Sequence, residues 1–338
     1  RGQPLRPPER TDPEAAARLL RRAQLSRNSV AACGVVALAA FAVIAFSRGP
    51  SPLADADLVA GLTGGGQPES APAYAISPEE LRANWPRFRG WQGSGVATGA
   101  LVLATAPEVN WQVPSPAPGF SSPLIWKQRV LFTGGNAEKR EVFCLNADTG
   151  ELQWRQPVQL PAPATAEEAP EIPEMTGHAA STAATDGERV YAIFAAGELA
   201  AFTLDGQPVW SKHLGALDNP YGHAASLACW QDRVIVQLDQ GDEDSRKSKI
   251  IVFDGVTGDM VWQKARPVGA SWATPIVFDA AGQPQLVTLG LPWVIAYMPA
   301  DGTELWRAKW LEGEITPSPI YAGGQLILVD PGMYQLLA

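Results

Sequence analysis

The strongest constraint on this 338-residue chain is a five-residue step that occurs four times. It reads Gly150-Glu-Leu-Gln-Trp154, Gly206-Gln-Pro-Val-Trp210, Gly258-Asp-Met-Val-Trp262 and Gly302-Thr-Glu-Leu-Trp306, with Trp-to-Trp intervals of 56, 52 and 44 residues. Each copy separates two runs of alternating apolar residues, the pattern of half-buried strands. A period of roughly 40–50 residues with strand-like patterning predicts an all-β chain, a β-propeller of four-stranded blades with one repeat per blade. The 32 Gly and 30 Pro supply the turns such a fold needs. Glycine at the head of each step allows the positive φ of a sharp turn. The Trp that follows is expected on the outermost strand, against the neighbouring blade, with its indole N–H on a facing carbonyl. Gly150, Trp154, Gly206, Trp210, Gly258, Trp262, Gly302 and Trp306 are thus expected to be structural docking residues.

The rest of the chain divides by composition. Residues 1–29 hold seven Arg against three acids, +4, leaving −13 on the remainder of a chain whose net charge is −9. An acidic body without clustered Lys and Arg is a poor partner for nucleic acid. Val30–Phe46 is 17 residues without a charge. As a helix it would span roughly 25 Å, near the lower limit for crossing a bilayer. Arg18, Arg21, Arg22 and Arg27 precede it, so the positive-inside rule places the N-terminus in the cytoplasm. The expected organisation is a basic cytoplasmic tail at 1–29, a transmembrane helix at 30–47 and a Gly/Pro-rich linker at 48–76. A short helix and propeller lead-in with a closing strand follow at 77–120, then the propeller at 121–338. Ser77-Pro-Glu-Glu80 has the form of a capping box, predicting a helix of about two turns up to Trp85. The fifth repeat reaches Met333–Ala338 without a further Gly-x-x-x-Trp step, so about four and a half blades are expected here, as part of a longer polypeptide.

Candidate chemistry is sparse. Cys33, Cys144 and Cys229 form no CxxC pair and read as small buried hydrophobes. No Ser-His-Asp set, P-loop or HExxH is present. His178, His223 and Trp272 each stand just ahead of a predicted first strand, which would bring them to the mouth of a central channel; for each, a packing or hydrogen-bonding role outweighs a ligand or metal role. Asp239, Asp242, Glu243 and Asp244 do not follow a Ca²⁺-loop order and read as a solvated charge run.

Asp254-Gly-Val-Thr-Gly-Asp-Met-Val-Trp262 is a complete Asp-x-x-Thr-Gly-x-x-x-Trp motif. It resembles the tryptophan-docking motif of pyrroloquinoline-quinone-type β-propellers. Trp85-Pro-Arg-Phe-Arg-Gly90, Asn110-Trp111 and Ser121-Ser-Pro123 are similar to the start of quinoprotein-like propeller repeat proteins, among them the outer-membrane assembly lipoprotein family. The resemblance covers about residues 82–338. It implies seven or eight blades in a full ring, with Trp111 on the strand that closes it. Catalytic members carry an adjacent Cys pair, calcium ligands and a catalytic Asp; no Cys-Cys occurs here. The expectation is therefore a non-catalytic, single-pass protein of a bacterial inner membrane, with its propeller on the periplasmic side and no cofactor. It would act as scaffold or accessory subunit among other membrane or envelope proteins, with the bilayer as partner of residues 30–47. The alternatives are a pyrroloquinoline-quinone-dependent dehydrogenase, or its degenerate relative, and a sensor ectodomain.

Overall fold

The computed structural model describes residues 76–97, 109–159, 171–332 and 335–337. All lie in the compact unit Pro72–Ala338. The expectations for 1–29, 30–47 and 48–75 lie outside the described residues. Among the described residues, no helix is long and apolar enough to cross a membrane.

Nineteen strands build five antiparallel meanders in chain order. The first sheet is β1 (Leu124–Trp126), β2 (Arg129–Gly135), β3 (Arg140–Asn146) and β4 (Leu152–Pro157). The second is β5 (Ala184–Thr185), β6 (Arg189–Ile193), β7 (Glu198–Thr203) and β8 (Pro208–His213). The third is β9 (Ala228–Trp230), β10 (Arg233–Leu238), β11 (Lys249–Asp254) and β12 (Met260–Ala265). The fourth is β13 (Ile276–Ala280), β14 (Gln283–Gly290), β15 (Trp293–Tyr297) and β16 (Glu304–Lys309). The fifth has three strands among the described residues: β17 (Ile320–Ala322), β18 (Gln325–Asp330) and β19 (Gln335–Leu337). The middle strands are buried on both faces and read as continuous apolar runs, such as Ile250-Ile-Val-Phe253. The fourth strands are mostly exposed, such as β12.

Neighbouring sheets are joined at two seams. At the inner seam, Ser122, Thr182, Ser226, Thr274 and Ser318 each stand two residues ahead of a first strand. The backbone N–H of Ser122 donates to Thr182 Oγ1 (3.0 Å), that of Thr182 to Ser226 Oγ (3.0 Å), that of Ser226 to Thr274 Oγ1 (2.9 Å) and that of Thr274 to Ser318 Oγ (2.9 Å). One hydroxyl per sheet thus satisfies a donor that no strand partner reaches. The first strand of the second sheet pairs only at Ala184–Thr185, since the N–H of Thr182 is already engaged sideways.

At the outer seam, each Trp sits over the Gly of the following sheet, not of its own step. Indole N–H groups donate from Trp154 to Leu204 O (3.0 Å), from Trp210 to Gly255 O (2.9 Å) and from Trp262 to Pro299 O (3.0 Å). A Cβ on Gly206, Gly258 or Gly302 would lie 2.8, 2.7 or 2.6 Å from the indole of Trp154, Trp210 or Trp262. Trp111 makes the same contact with Gly150 and donates to Ala147 O (2.9 Å), from a stretch, 109–123, that contains no strand. Trp306 differs: its N–H goes to Gln285 Oε1 (2.9 Å) in its own sheet. A β-bulge precedes every fourth-strand Trp. Cys144 pairs with Trp154 and Leu145 with Leu152, and the shift recurs at Ala201/Phe202, Val252/Phe253 and Ala296/Tyr297. A bulge re-aims the side chain after it.

The lead-in runs across the first strands. Helix α1 (Pro78–Arg82) starts at Ser77, whose Oγ accepts from Glu80 N at 3.1 Å. It is shorter than the two turns expected, because Trp85 is drawn into a bridge with Ile125 of β1. Pro86 O then accepts from Thr185 N (2.8 Å), Arg87 reaches Cys229 O and Val277 O (3.3 and 3.2 Å), and Arg89 reaches Ser318 O (3.1 Å). Within five consecutive residues, Trp85, Pro86, Arg87 and Arg89 thus reach the first strands of four sheets and Ser318 just ahead of the fifth.

Gly258→Ala is expected to lose about 2–4 kcal/mol, since it combines positive φ (+75°) with the Trp210 clash. Gly282→Ala, at φ +85° with nothing within 4 Å, loses only about 1–2 kcal/mol. Urea denaturation of the pair isolates the steric contact.

Candidate functional site

The connections into the second, third and fourth sheets carry His178, His223 and Trp272. His223 is buried. Its Nε2–H donates to Gln237 O (3.1 Å), which leaves Nδ1 as the acceptor facing Ser181 Oγ at 3.3 Å. Burial lowers its pKa to about 4, so the ring is neutral at pH 7.

Gln237, at the end of β10, leads into a buried polar network. Its Nε2 donates to Asp239 Oδ2 (2.8 Å), Ser271 Oγ (3.0 Å) and Leu289 O (2.8 Å). Asp239 and Arg266 form an ion pair of 2.7 Å in which both side chains are 0% exposed. Arg266 also donates to Leu289 O and Thr288 Oγ1. Burial alone would lower the pKa of this guanidinium, but Asp239 and then Tyr297 raise it. Asn219 Nδ2 donates to Asp239 O (3.1 Å), and Asn219 Oδ1 accepts from Trp272 Nε1 (3.0 Å). The edge of Tyr221 meets the Trp272 ring at 5.1 Å. His223 and Trp272 therefore belong to one network that ties the second, third and fourth sheets together.

His178 belongs elsewhere. It is half-buried, and its Nδ1 has no hydrogen-bond partner. Burial and then the nearby Arg140 lower its pKa, against Glu198. Arg140 and Glu198 form a largely buried ion pair of 2.9 Å between the first and second sheets.

The reading of Asp239, Asp242, Glu243 and Asp244 as one solvated run is corrected at its first member. Asp242, Glu243 and Asp244 are exposed, whereas Asp239 is buried against Arg266. Asp239 directly follows the buried run Val234–Leu238, which places it inside the fold. Asp239 is taken up by Arg266, so these four acids do not converge on a Ca²⁺ ion. Among the described residues, no three His, Cys, Asp or Glu side chains stand close enough to hold a metal ion. Cys144 and Cys229 are free, the first buried and the second half-buried.

Consecutive four-stranded meanders, sewn at an inner hydroxyl seam and an outer Trp seam, define the blades of a quinoprotein-type β-propeller. The family model described as outer membrane protein assembly factor BamB matches residues 97–284, and the chain belongs to that family. No curated protein matches this sequence. Among solved structures, it is similar to BamB from Moraxella catarrhalis (18% identity, 65% of this chain and 60% of that chain, TM-score 0.45). It is also similar to a europium-containing methanol dehydrogenase (11%, 77% and 57%, 0.54) and to the quinohemoprotein alcohol dehydrogenase from Comamonas testosteroni (14%, 76% and 48%, 0.55). The chain spans less than two thirds of each of these structures, and at such identities the likeness concerns the fold.

Two measurements probe this network. Arg266→Met leaves Asp239 unpaired and is expected to cost about 3–5 kcal/mol in urea denaturation, while Asp239→Leu/Arg266→Met recovers most of it. His223 gives a pH signature. Its folded pKa lies below the unfolded value of 6.5, so its contribution is intact above pH 6.5 and is lost as pH falls towards 4. At pH 5 this amounts to about 2 kcal/mol, and His223→Gln is expected to remove that part of the slope between pH 7.5 and 5.

Proposed function

We propose that this chain is a non-catalytic propeller that binds other proteins, as scaffold or accessory subunit of a membrane or envelope complex. One observation carries this reading. On the connections into the first strands, the polar side chains of the Gln237–Asp239–Arg266 network bond each other, while large apolar side chains on equivalent connections face solvent. Phe120 is 64% exposed, Met175 74% and Trp310 58%. Covering such side chains with a partner would remove apolar surface from water and stabilise a complex. Membership of the family described as an outer membrane assembly factor supports the same reading.

The docking contacts of Trp111, Trp154, Trp210 and Trp262 serve, in this proposal, to hold the blades in a ring of seven or eight. Residues 1–29 form the cytoplasmic tail, 30–47 the span through a bacterial inner membrane, and 48–76 the tether. The lead-in, 77–120, and the blades, 121–338, then stand on the periplasmic side. The apolar run Val30–Phe46 and the Arg residues before it support that placement.

The test is crosslinking and mild-detergent purification of the wild type beside Phe120→Asp/Met175→Asp/Trp310→Asp. Discrete stoichiometric partners held by the wild type and weakened at least tenfold in the variant are expected. A lone monomer in both contradicts the proposal. Stoichiometric binding of pyrroloquinoline quinone and Ca²⁺ with dye-linked alcohol oxidation turns the assignment to the dehydrogenase reading.

A further inference from the structure

Among the described residues, two arginines are buried, and they differ in one respect. Arg266 is neutralised by Asp239. Arg87 is only 6% exposed, yet its acceptors are two main-chain carbonyls, Cys229 O and Val277 O. Among the described residues, no carboxylate pairs with it. Burial lowers its pKa, and it also pushes the neighbouring Cys229 thiol up, so that thiol supplies no counter-charge at neutral pH. A buried guanidinium with no anion is costly, by several kcal/mol before compensation. Two neutral carbonyls offset part of that cost and leave the charge standing.

Arg87 also lines a cleft of about 570 Å³ between the lead-in and the turns of the third and fourth sheets. That volume is within the range of small-molecule sites. Leu81 of α1 and Trp91 of the 3₁₀ turn Trp91–Gly93 contribute from the lead-in, and Trp230 of β9 and Phe278 of β13 from the sheets. Among the described residues of the lining, Asp279 is the one acid, and its Oδ1 is turned to the N–H of Gly282 at 2.6 Å. A smaller void of about 30 Å³ shares Leu81, Arg87 and Trp91 with the cleft.

We infer that this cleft binds a small organic carboxylate with a planar apolar body, its carboxylate answering Arg87 and its body lying against Trp91 and Trp230. The apolar lining favours a monoanion over phosphate, whose higher charge needs more donors than one partly engaged guanidinium provides. The cleft is built by the lead-in, apart from the connections that carry His178, His223 and Trp272, and it is independent of the scaffold reading. The segment that forms its wall reaches the first strands of four sheets and Ser318 just ahead of the fifth, so an occupant would contact the part of the chain that holds the sheets together.

Isothermal titration calorimetry of the full chain tests this with 3-phenylpropionate, its uncharged amide and inorganic phosphate. The acid is expected to bind saturably, at least tenfold tighter than the amide, with phosphate silent. Arg87→Gln should abolish the preference for acid over amide. Arg87 holds sheets together, so a second variant, Leu81→Trp, fills the cleft from half-buried α1 while leaving Arg87 in place; it should remove acid binding. Equal affinity for acid and amide, saturable binding of phosphate, undiminished acid binding to Leu81→Trp, or no heat from the acid at millimolar concentration would each overturn the inference.

Discussion

The arrangement of the sheets depends on the indole of one sheet lying flat on the bare backbone of the next. Removing on the order of 100–200 Å² of indole surface from water contributes about 3–5 kcal/mol. Glycine's loss of backbone freedom costs only about 0.5–1 kcal/mol, so the contact wins clearly. Its direction comes from a hydrogen bond. Trp154, Trp210 and Trp262 each place the indole N–H on a carbonyl at the head of the following sheet's Gly-x-x-x-Trp turn. A burial contact alone would let neighbouring sheets slide; the N–H to carbonyl bond sets one rotation between them.

The inner seam works by a different device. First strands converge, and each leaves backbone donors ahead of its start. Hydroxyls of Thr182, Ser226, Thr274 and Ser318 answer them in turn. Around this seam the lead-in adds Arg87 and Arg89 as cross-sheet donors. Between the seams lies the Asp239–Arg266 pair with its satellites Gln237, Ser271 and Asn219. Such a pair adds little net stability compared with apolar packing, but it punishes any register in which its members are apart. Among the described residues, the polar chemistry of this molecule is largely invested in placing sheets.

Much of the fold was legible because its periodicities are local. Short apolar runs such as Val190–Ile193 and the turn residues of Asp254–Gly258 announce strands and hairpins from short-range chemistry. The capping box at Ser77 was equally readable, although the helix is curtailed by the pull of β1 on Trp85. Of the candidate site, His223 and Trp272 were found from their position ahead of first strands, but their partners were not. Asp239 looked like the first of a run of exposed acids, and Arg266 like an ordinary strand-end charge. Only the carboxyl's place after five buried residues hinted otherwise. Arg87, in the run Trp85-Pro-Arg-Phe-Arg89, carried no local signal that set it apart from Arg89.

The sequence by itself determined the number and type of repeats, the β character of the chain and the residues on which the outer seam is built. These follow from spacing along the chain, which local backbone geometry converts directly into strands and turns. The tertiary structure alone decided which glycine Trp111, Trp154, Trp210 and Trp262 meet, the bulge that precedes each fourth-strand Trp, the pairing of Asp239 with Arg266 and the main-chain acceptors of Arg87. Each of those depends on what another sheet presents across a gap of tens of residues, and no pattern within one repeat encodes it.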